Sequence, residues 1–349
     1  MADQVAVFDG HNDTLLKLEV AERLGRVRDF GAGEPSLDID LPRAREAGFA
    51  GGLFAIYTPS RVNALDQPYD RDDPMNFAPV AQRDALDFTL AMFARLTRLA
   101  RELPQEVAIC TDTAMVRAAM AEGRLAVVPH VEGAECIDPG LNALEVLYAA
   151  GLRSLGLVWS RPNAFGHGAP MDRQPVLEPG EGLTELGEIL VQACERLGIL
   201  VDLSHLTEAG FWDVARISTK PLVASHSNAH AVSPNARNLT DRQLDAIRES
   251  GGLVGLNFHV AFLREDCRLD HETPITTMLR HLDHLIERVG EGGVALGSDY
   301  DGCELPREIG DVTGLPRLVA AMRQAGYGET LINRICRENW LDVLSRTIG

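Results

Sequence analysis

Val5-Ala6-Val7-Phe8-Asp9-Gly10-His11-Asn12-Asp13 begins with a short apolar run and passes at once to a histidine and an aspartate one residue apart. Side chains two apart on an extended segment project to the same side, so His11 and Asp13 can reach one metal ion. Alone the pair carries little weight, because 10 histidines among 349 residues produce an occasional His-x-Asp by accident. Recurrence gives it weight. Glu132 follows the apolar run Leu125-Ala126-Val127-Val128-Pro129-His130-Val131, and His205 follows Ile199-Leu200-Val201-Asp202-Leu203-Ser204. His226 follows Pro221-Leu222-Val223-Ala224-Ser225, and Asp299 follows Val294-Ala295-Leu296-Gly297-Ser298. Charged groups at the ends of core strands need partners or solvent, and packing gives no reason for core strands to end this way so often.

These runs belong to a larger pattern. Strand-like segments at 5–9, 51–57, 125–131, 153–158, 198–203, 220–225, 252–257 and 293–298 alternate with helical patterns at 79–103, 141–150, 183–197, 207–217, 240–250 and 274–290. Such alternation predicts a parallel sheet with crossover helices, and eight strands over this length fit an α/β fold of the (β/α)₈ TIM-barrel type. An open doubly wound sheet is the competitor, but no Gly-x-Gly-x-x-Gly or Gly-x-x-x-x-Gly-Lys motif supports it. Two further helices, 314–325 and 329–346, are expected to pack on the barrel with Trp340, Leu341 and Leu344 facing inward. No linker or repeat divides the chain, so 1–349 reads as a single domain.

A barrel places functional residues at the carboxyl ends of its strands, where these candidates fall. Their donors are nitrogen and oxygen only, which suits Zn²⁺ first and also Mn²⁺, Co²⁺ or Fe²⁺. Five ligands, two of them carboxylates, exceed what one catalytic zinc with an open position takes, so two zinc ions sharing a carboxylate fit better. The chain carries 33 basic against 51 acidic residues, a net −18. That field repels nucleic acid and anionic membrane and favours a small-molecule substrate. The six cysteines are widely spaced and are expected to be free thiols. With neither a leader-like segment nor a run of about 18 apolar residues, a soluble cytoplasmic protein is expected.

The chain resembles the membrane (renal) dipeptidases, metallopeptidase family M19 of the amidohydrolase-like barrels. The matching stretches are Asp9-Gly10-His11-Asn12-Asp13, Val131-Glu132-Gly133, Val201-Asp202-Leu203-Ser204-His205, Ser225-His226-Ser227-Asn228-Ala229, Arg237-Asn238 and Gly297-Ser298-Asp299-Tyr300-Asp301-Gly302. The resemblance implies a dipeptidase in which His11 and Asp13 hold one zinc, His205 and His226 the other, and Glu132 bridges them. It implies Asp299 as the base that relays a proton to the leaving amine, and Arg237 as the partner of the substrate's terminal carboxylate. It also makes a homodimer conceivable. Asp301, two residues on, is the rival to Asp299 if the segment is extended.

Two departures qualify the match. Where the family carries a histidine after strand four that stabilises the tetrahedral intermediate, this chain has Trp159, whose indole offers only an N–H donor. His167, in the following loop, is a candidate to compensate, and Arg161 is a candidate either for an anionic substrate group or for a surface ion pair. Some animal relatives are secreted and lipid-anchored, whereas Leu341–Gly349 is short and mixed, which favours a soluble bacterial-type enzyme. If Trp159 has remodelled the pocket, a metal-dependent amidohydrolase of non-peptide amides, N-acyl amino acids or lactams is the alternative. A metal-binding protein without turnover is the remaining one. Substrate preference is expected to reside in the loops 58–78 and 159–182.

Overall fold

The computed structural model describes residues 4–67, 73–171 and 180–349. Parts of both expected specificity loops, 68–72 and 172–179, lie outside the described residues. Nine parallel strands appear among the described residues: β1 (Val7–Asn12), β2 (Phe49–Tyr57), β3 (Val107–Ile109), β4 (Leu125–Glu132), β5 (Ser154–Gly156), β6 (Leu200–Asp202), β7 (Val223–Ala224), β8 (Leu253–Leu256) and β9 (Val294–Leu296). Eight of them follow one another in the order β1-β2-β4-β5-β6-β7-β8-β9, as a (β/α)₈ barrel requires. The ninth, β3, was not expected. It pairs with Leu125–Val127 on the edge of β4 whose later residues, His130–Glu132, pair with β5. Three residues are too few to show a period, so the sequence could not reveal it.

The seam between β1 and β9 is closed beyond the strands themselves. The amide of Asp299 donates to the His11 carbonyl (3.0 Å) and that of Asp13 to the Tyr300 carbonyl (2.8 Å). Below them, the buried Asp9 carboxylate accepts from the Ser298 amide (2.7 Å) and hydroxyl (2.8 Å). The last ladder of the barrel is therefore built by the residues that carry His11, Asp13 and Asp299.

Strand side chains divide between two cores. Phe8, Leu53, Ala126, Val128, Leu200, Val223, Leu253 and Ala295 pack inside the barrel against Trp340, Leu341, Val343 and Leu344. Val7, Phe54, Ile56, Val127, Val131, Val254, Leu256 and Val294 pack outward against the helices. The C-terminal helix Asn339–Thr347 closes the end where strands begin, for Asn339 and Arg346 hydrogen-bond the carbonyls of Glu291 and Gly251, just ahead of β9 and β8. The Trp340 indole donates to the Leu296 carbonyl (2.8 Å), which satisfies its one polar atom in the core. The predicted helix at 329–346 is interrupted by a π-type turn at Arg334–Glu338. Helices Thr14–Arg23, Leu41–Ala47 and Thr113–Ala121 are additions to the expected set. All six cysteines are free.

His281, on the helix Ile275–Val289, fastens two loops at the site end. Its Nδ1 accepts from the Ala229 amide (3.2 Å) and its Nε2 donates to the Leu263 carbonyl (3.0 Å). Burial pulls its pKa down to about 4. The unfolded chain takes up a proton below about pH 6.5 that the folded chain refuses, so stability is intact above that pH and falls as pH drops towards 4. The loss amounts to about 3 kcal/mol at the low end. Denaturant unfolding of wild type and His281→Gln at pH 7, 5.5 and 4 checks this, and the variant is expected to lose less stability on acidification; parallel curves would contradict it.

Candidate metal centre and active site

His11 lies within β1, and Glu132 is the last residue of β4. Pairing of β1 with β2 shifts register between Val7 and Phe8 and again between Asp9 and Asn12, irregularities of the kind that re-aim side chains. Asp13 is not on an extended segment. At φ −105° and ψ 22° it stands at the N-cap of Thr14–Arg23. A bulged strand and a helix start, rather than strand alternation, bring Nε2 of His11 to 3.4 Å from Oδ2 of Asp13. His205 (φ 69°) and Asp299 (φ 63°) sit in the left-handed region after their strands, a conformation that costs about 1–3 kcal/mol per non-glycine residue and recurs at functional sites.

The five proposed ligands converge. Oε1 of Glu132 lies 3.0 Å from Nε2 of His205, 3.7 Å from that of His226 and 3.7 Å from that of His11. The Nε2 atoms of His205 and His226 face each other at 2.9 Å. Ligand atoms of His11, Glu132 and His226 form one group within 4.8 Å of one another, and those of His11, Asp13 and Asp299 form a second. Both ring nitrogens of His11 and Oδ1 of Asp13 are buried without a hydrogen-bond partner. Orphaned buried atoms of this kind call for an ion, and nitrogen and oxygen donors in two overlapping groups fit divalent metal.

A supporting layer orients these groups. His205 Nδ1 meets the Ser160 hydroxyl at 2.9 Å and His226 Nδ1 the Ser225 hydroxyl at 2.7 Å, which leaves each Nε2 to face the centre. Asp202 accepts from the amides of Ser204 and Ser225 and from the Ser225 hydroxyl. His130, two residues before Glu132 and on the same face, packs edge-on against His11 at 5.4 Å and bonds Ser154. Asn257 donates to Oδ2 of Asp299 (2.9 Å). A side chain at Gly302 would collide with the carboxylates of Asp13 and Asp299, so a glycine is needed where they approach. These supporting residues were missed in the sequence. Serines and asparagines are too common for their spacing to signal anything.

Electrostatics follow from crowding carboxylates in a buried site. Burial, with the charges of Asp13 and Asp299, drives Glu132 well above the usual carboxylate range against His11 and Arg237. Burial would pull His11 down, but Glu132, Asp13 and Asp299 overcome it and raise its pKa to about 10. The cluster thus demands a cation. Burial first, and then the positive charges of Arg237 and His11, hold His205 and His226 neutral, the form in which imidazole ligates metal. Burial raises Asp299 to about 6, helped by Asp13 and opposed by His11, Asn257 and Arg237.

The other candidates divide. Arg237 is buried beside the cluster, with Nη2 bonded to the His226 carbonyl (3.2 Å), Nη1 to Ser227 (3.4 Å) and Nε without a partner. Burial lowers its pKa to about 10, so it remains charged at neutral pH. Trp159 lines the cavity with Glu132, His205 and Asp299, its ring 5.9 Å from that of His205. His167 is not brought to the metal cluster: Glu181 and the Gly182 carbonyl hold it. Asp301 also lines the cavity, but the segment is not extended and its carboxylate is taken up by other partners. At φ 65° it accepts from the Thr14 hydroxyl (2.7 Å) and the Asp38 amide (2.9 Å). Arg161 is likewise not an open anion receptor. It is fully buried, with Nε on Glu135 (2.7 Å), Nη2 on the Thr58 carbonyl (2.6 Å) and Nη1 on Tyr57 (3.0 Å) and Ser60 (2.9 Å).

A protein-family model, the membrane dipeptidases of peptidase family M19, matches residues 1–348. This chain belongs to the membrane dipeptidase family. The structure resembles that of a metallo peptidase from Rhodobacter sphaeroides, liganded with a phosphinate mimic of the dipeptide L-Ala-D-Ala, at 48% identity and a TM-score of 0.90, covering 99% of this chain and 100% of that one. It also resembles the structure of a dipeptidase of family M19 at 49% identity and a TM-score of 0.91, with the same coverage. A protein from the pqqA 5′ region of Klebsiella pneumoniae is 45% identical over 261 residues, 75% of this chain and 96% of its own length. The family makes this chain a metal-dependent dipeptidase of the hydrolase class. Despite the family's name, no helix among the described residues is long and apolar enough to cross a membrane.

Arg161 generates a prediction. Removing it by Arg161→Met strands the Glu135 carboxylate in the interior, which costs about 3–5 kcal/mol. Thermal unfolding is expected to show a Tm several degrees lower, partly restored by a second change, Glu135→Gln. An unchanged Tm in the single variant would contradict the buried-pair assignment.

Proposed function

We propose that this chain is a binuclear zinc dipeptidase in which His11 and Asp13 hold one ion, His205 and His226 the other, and Glu132 bridges them. The observation that carries the reading is the position of one Glu132 oxygen within 3.7 Å of all three imidazoles, beside orphaned donor atoms of His11 and Asp13. Bound divalent ions polarise a scissile carbonyl and bring the pKa of a water towards neutrality. Asp299 takes the proton of the attacking water and returns it to the leaving amine, so it starts as carboxylate and ends as carboxylate. Its Oδ2 is fixed by Asn257, and it remains partly open to the cavity where substrate must lie.

Arg237 binds the substrate's terminal carboxylate. No carboxylate of the protein forms an ion pair with it among the described residues, and a buried guanidinium with an unused donor is completed by an anion. The substrate is a dipeptide, and a D-residue at its carboxyl end is admitted. That extension rests on similarity to the Rhodobacter sphaeroides peptidase, whose structure holds a mimic of L-Ala-D-Ala.

The test is hydrolysis of L-Xaa–L-Xaa and L-Xaa–D-Xaa libraries by zinc-loaded wild type and Asp299→Asn. Wild type is expected to cleave members of both libraries. The variant should lose about 100-fold or more in kcat while keeping its metal. An Asp299→Asn protein of near wild-type kcat would overturn the assignment of the base. Cleavage confined to the L,L library would overturn the D-residue extension.

A further inference from the structure

Amide hydrolysis places negative charge on the former carbonyl oxygen, and a donor fixed on that oxygen is among the larger contributions a protein makes to such a reaction. Trp159 stands where the resemblance to the family leads one to expect a histidine. Its ring stacks on Phe77 at 5.4 Å with an interplanar angle of 8°, and the Arg161 guanidinium lies 5.3 Å from its centroid. So held, Trp159 forms a wall of the cavity.

Beside it stands Tyr57, the last residue of β2 and the register partner of Glu132. Alternation along β2 places Tyr57 on the face of Leu53, which points into the barrel, and its side chain lines the cavity with Glu132, His205 and Asp299. Its ring is 5.3 Å from Trp159.

The direction of one hydrogen bond decides what its hydroxyl can do. Arg161 Nη1 lies 3.0 Å from the Tyr57 oxygen, and a guanidinium has donors only. Tyr57 is therefore the acceptor in that bond, and its own proton must point elsewhere. No acceptor for that proton is found among the described residues. Arg161 cannot turn to change this, because Glu135, the Thr58 carbonyl and Ser60 hold the rest of its fork. Burial pushes the Tyr57 pKa upward, so the hydroxyl keeps its proton across the working range.

We propose that Tyr57 is a catalytic residue whose hydroxyl donates a hydrogen bond to the oxyanion developing on the scissile carbonyl oxygen, with Arg161 as the positioning residue that orients it. The proposal rests on the dipeptidase reading above. No proton is transferred in this contact: Tyr57 keeps its O–H bond, and the proton of the attacking water still travels through Asp299.

The experiment compares zinc-loaded wild type, Tyr57→Phe and a protein with 3-fluorotyrosine at position 57. Each is assayed on L-Ala–D-Ala and L-Ala–L-Ala, with a phosphinate pseudodipeptide as inhibitor and with metal content and Tm measured alongside. Tyr57→Phe is expected to lower kcat by about 100-fold, with KM changed by less than about threefold, metal content held, and Tm lowered by a few degrees at most because one buried Arg161 N–H loses its acceptor. Phosphinate inhibition should weaken by a similar factor, since the phosphinate oxygen stands in for the oxyanion. The 3-fluorotyrosine protein, whose more acidic hydroxyl is the stronger donor, should exceed the wild-type kcat; a merely structural hydroxyl, which only accepts from Arg161, would leave it at or below the wild-type kcat. An active wild type with a Tyr57→Phe variant of equal kcat overturns the proposal alone. A wild type that cleaves neither dipeptide nor any library member overturns the dipeptidase reading and the proposal together.

Discussion

A carboxylate buried at the mouth of the barrel, that of Glu132, organises everything around it. Taking such a group out of water costs several kcal/mol unless positive charge or strong donors compensate it. Here three imidazoles converge on one of its oxygens, and Asp13 and Asp299 add further negative charge. Protein groups alone leave the cluster short of cations, as the strongly raised Glu132 and His11 pKa values show. The fold accepts this arrangement because a divalent ion can neutralise it. Two such ions are what the proposed function requires.

The barrel supports the cluster by tying its own closure to it. The Asp299 amide pairs with the His11 carbonyl and the Asp13 amide with the Tyr300 carbonyl at the seam, and the Asp9–Ser298 contact locks the layer beneath. Any movement that opens β1 from β9 must therefore separate His11 and Asp13 from Asp299. On the opposite side, Arg161 binds together the loops after β2, β4 and β5 through Thr58, Glu135 and its own segment. Apolar packing fills the far end of the barrel, where Trp340 enters, and polar fixing governs the near end.

Much of this was legible in the sequence, for identifiable reasons. Strands such as 125–131 and 293–298 are buried on both faces and read as continuous apolar runs, so their ends marked His205, His226, Glu132 and Asp299 correctly as neighbours in space. Backbone geometry outside the repeating elements was not legible. The left-handed turns at Asp299 and Asp301 defeated the assumption of an extended segment, on which the comparison of the two aspartates had rested. Arg161 read as a substrate-binding or surface-paired cation because its buried partners Glu135, Tyr57 and Thr58 are 26 to 104 residues away. The short β3 and the orienting serines carry no periodic signal at all.

The position and number of bound ions decide whether the cluster around Glu132 is a two-metal centre. Crystals of zinc-loaded protein measured across the zinc absorption edge should give two anomalous peaks per chain. One is expected between His11 and Asp13 and the other between His205 and His226, with Glu132 reaching both. A single peak, or a peak that Glu132 does not touch, would rule out a binuclear centre shared through Glu132.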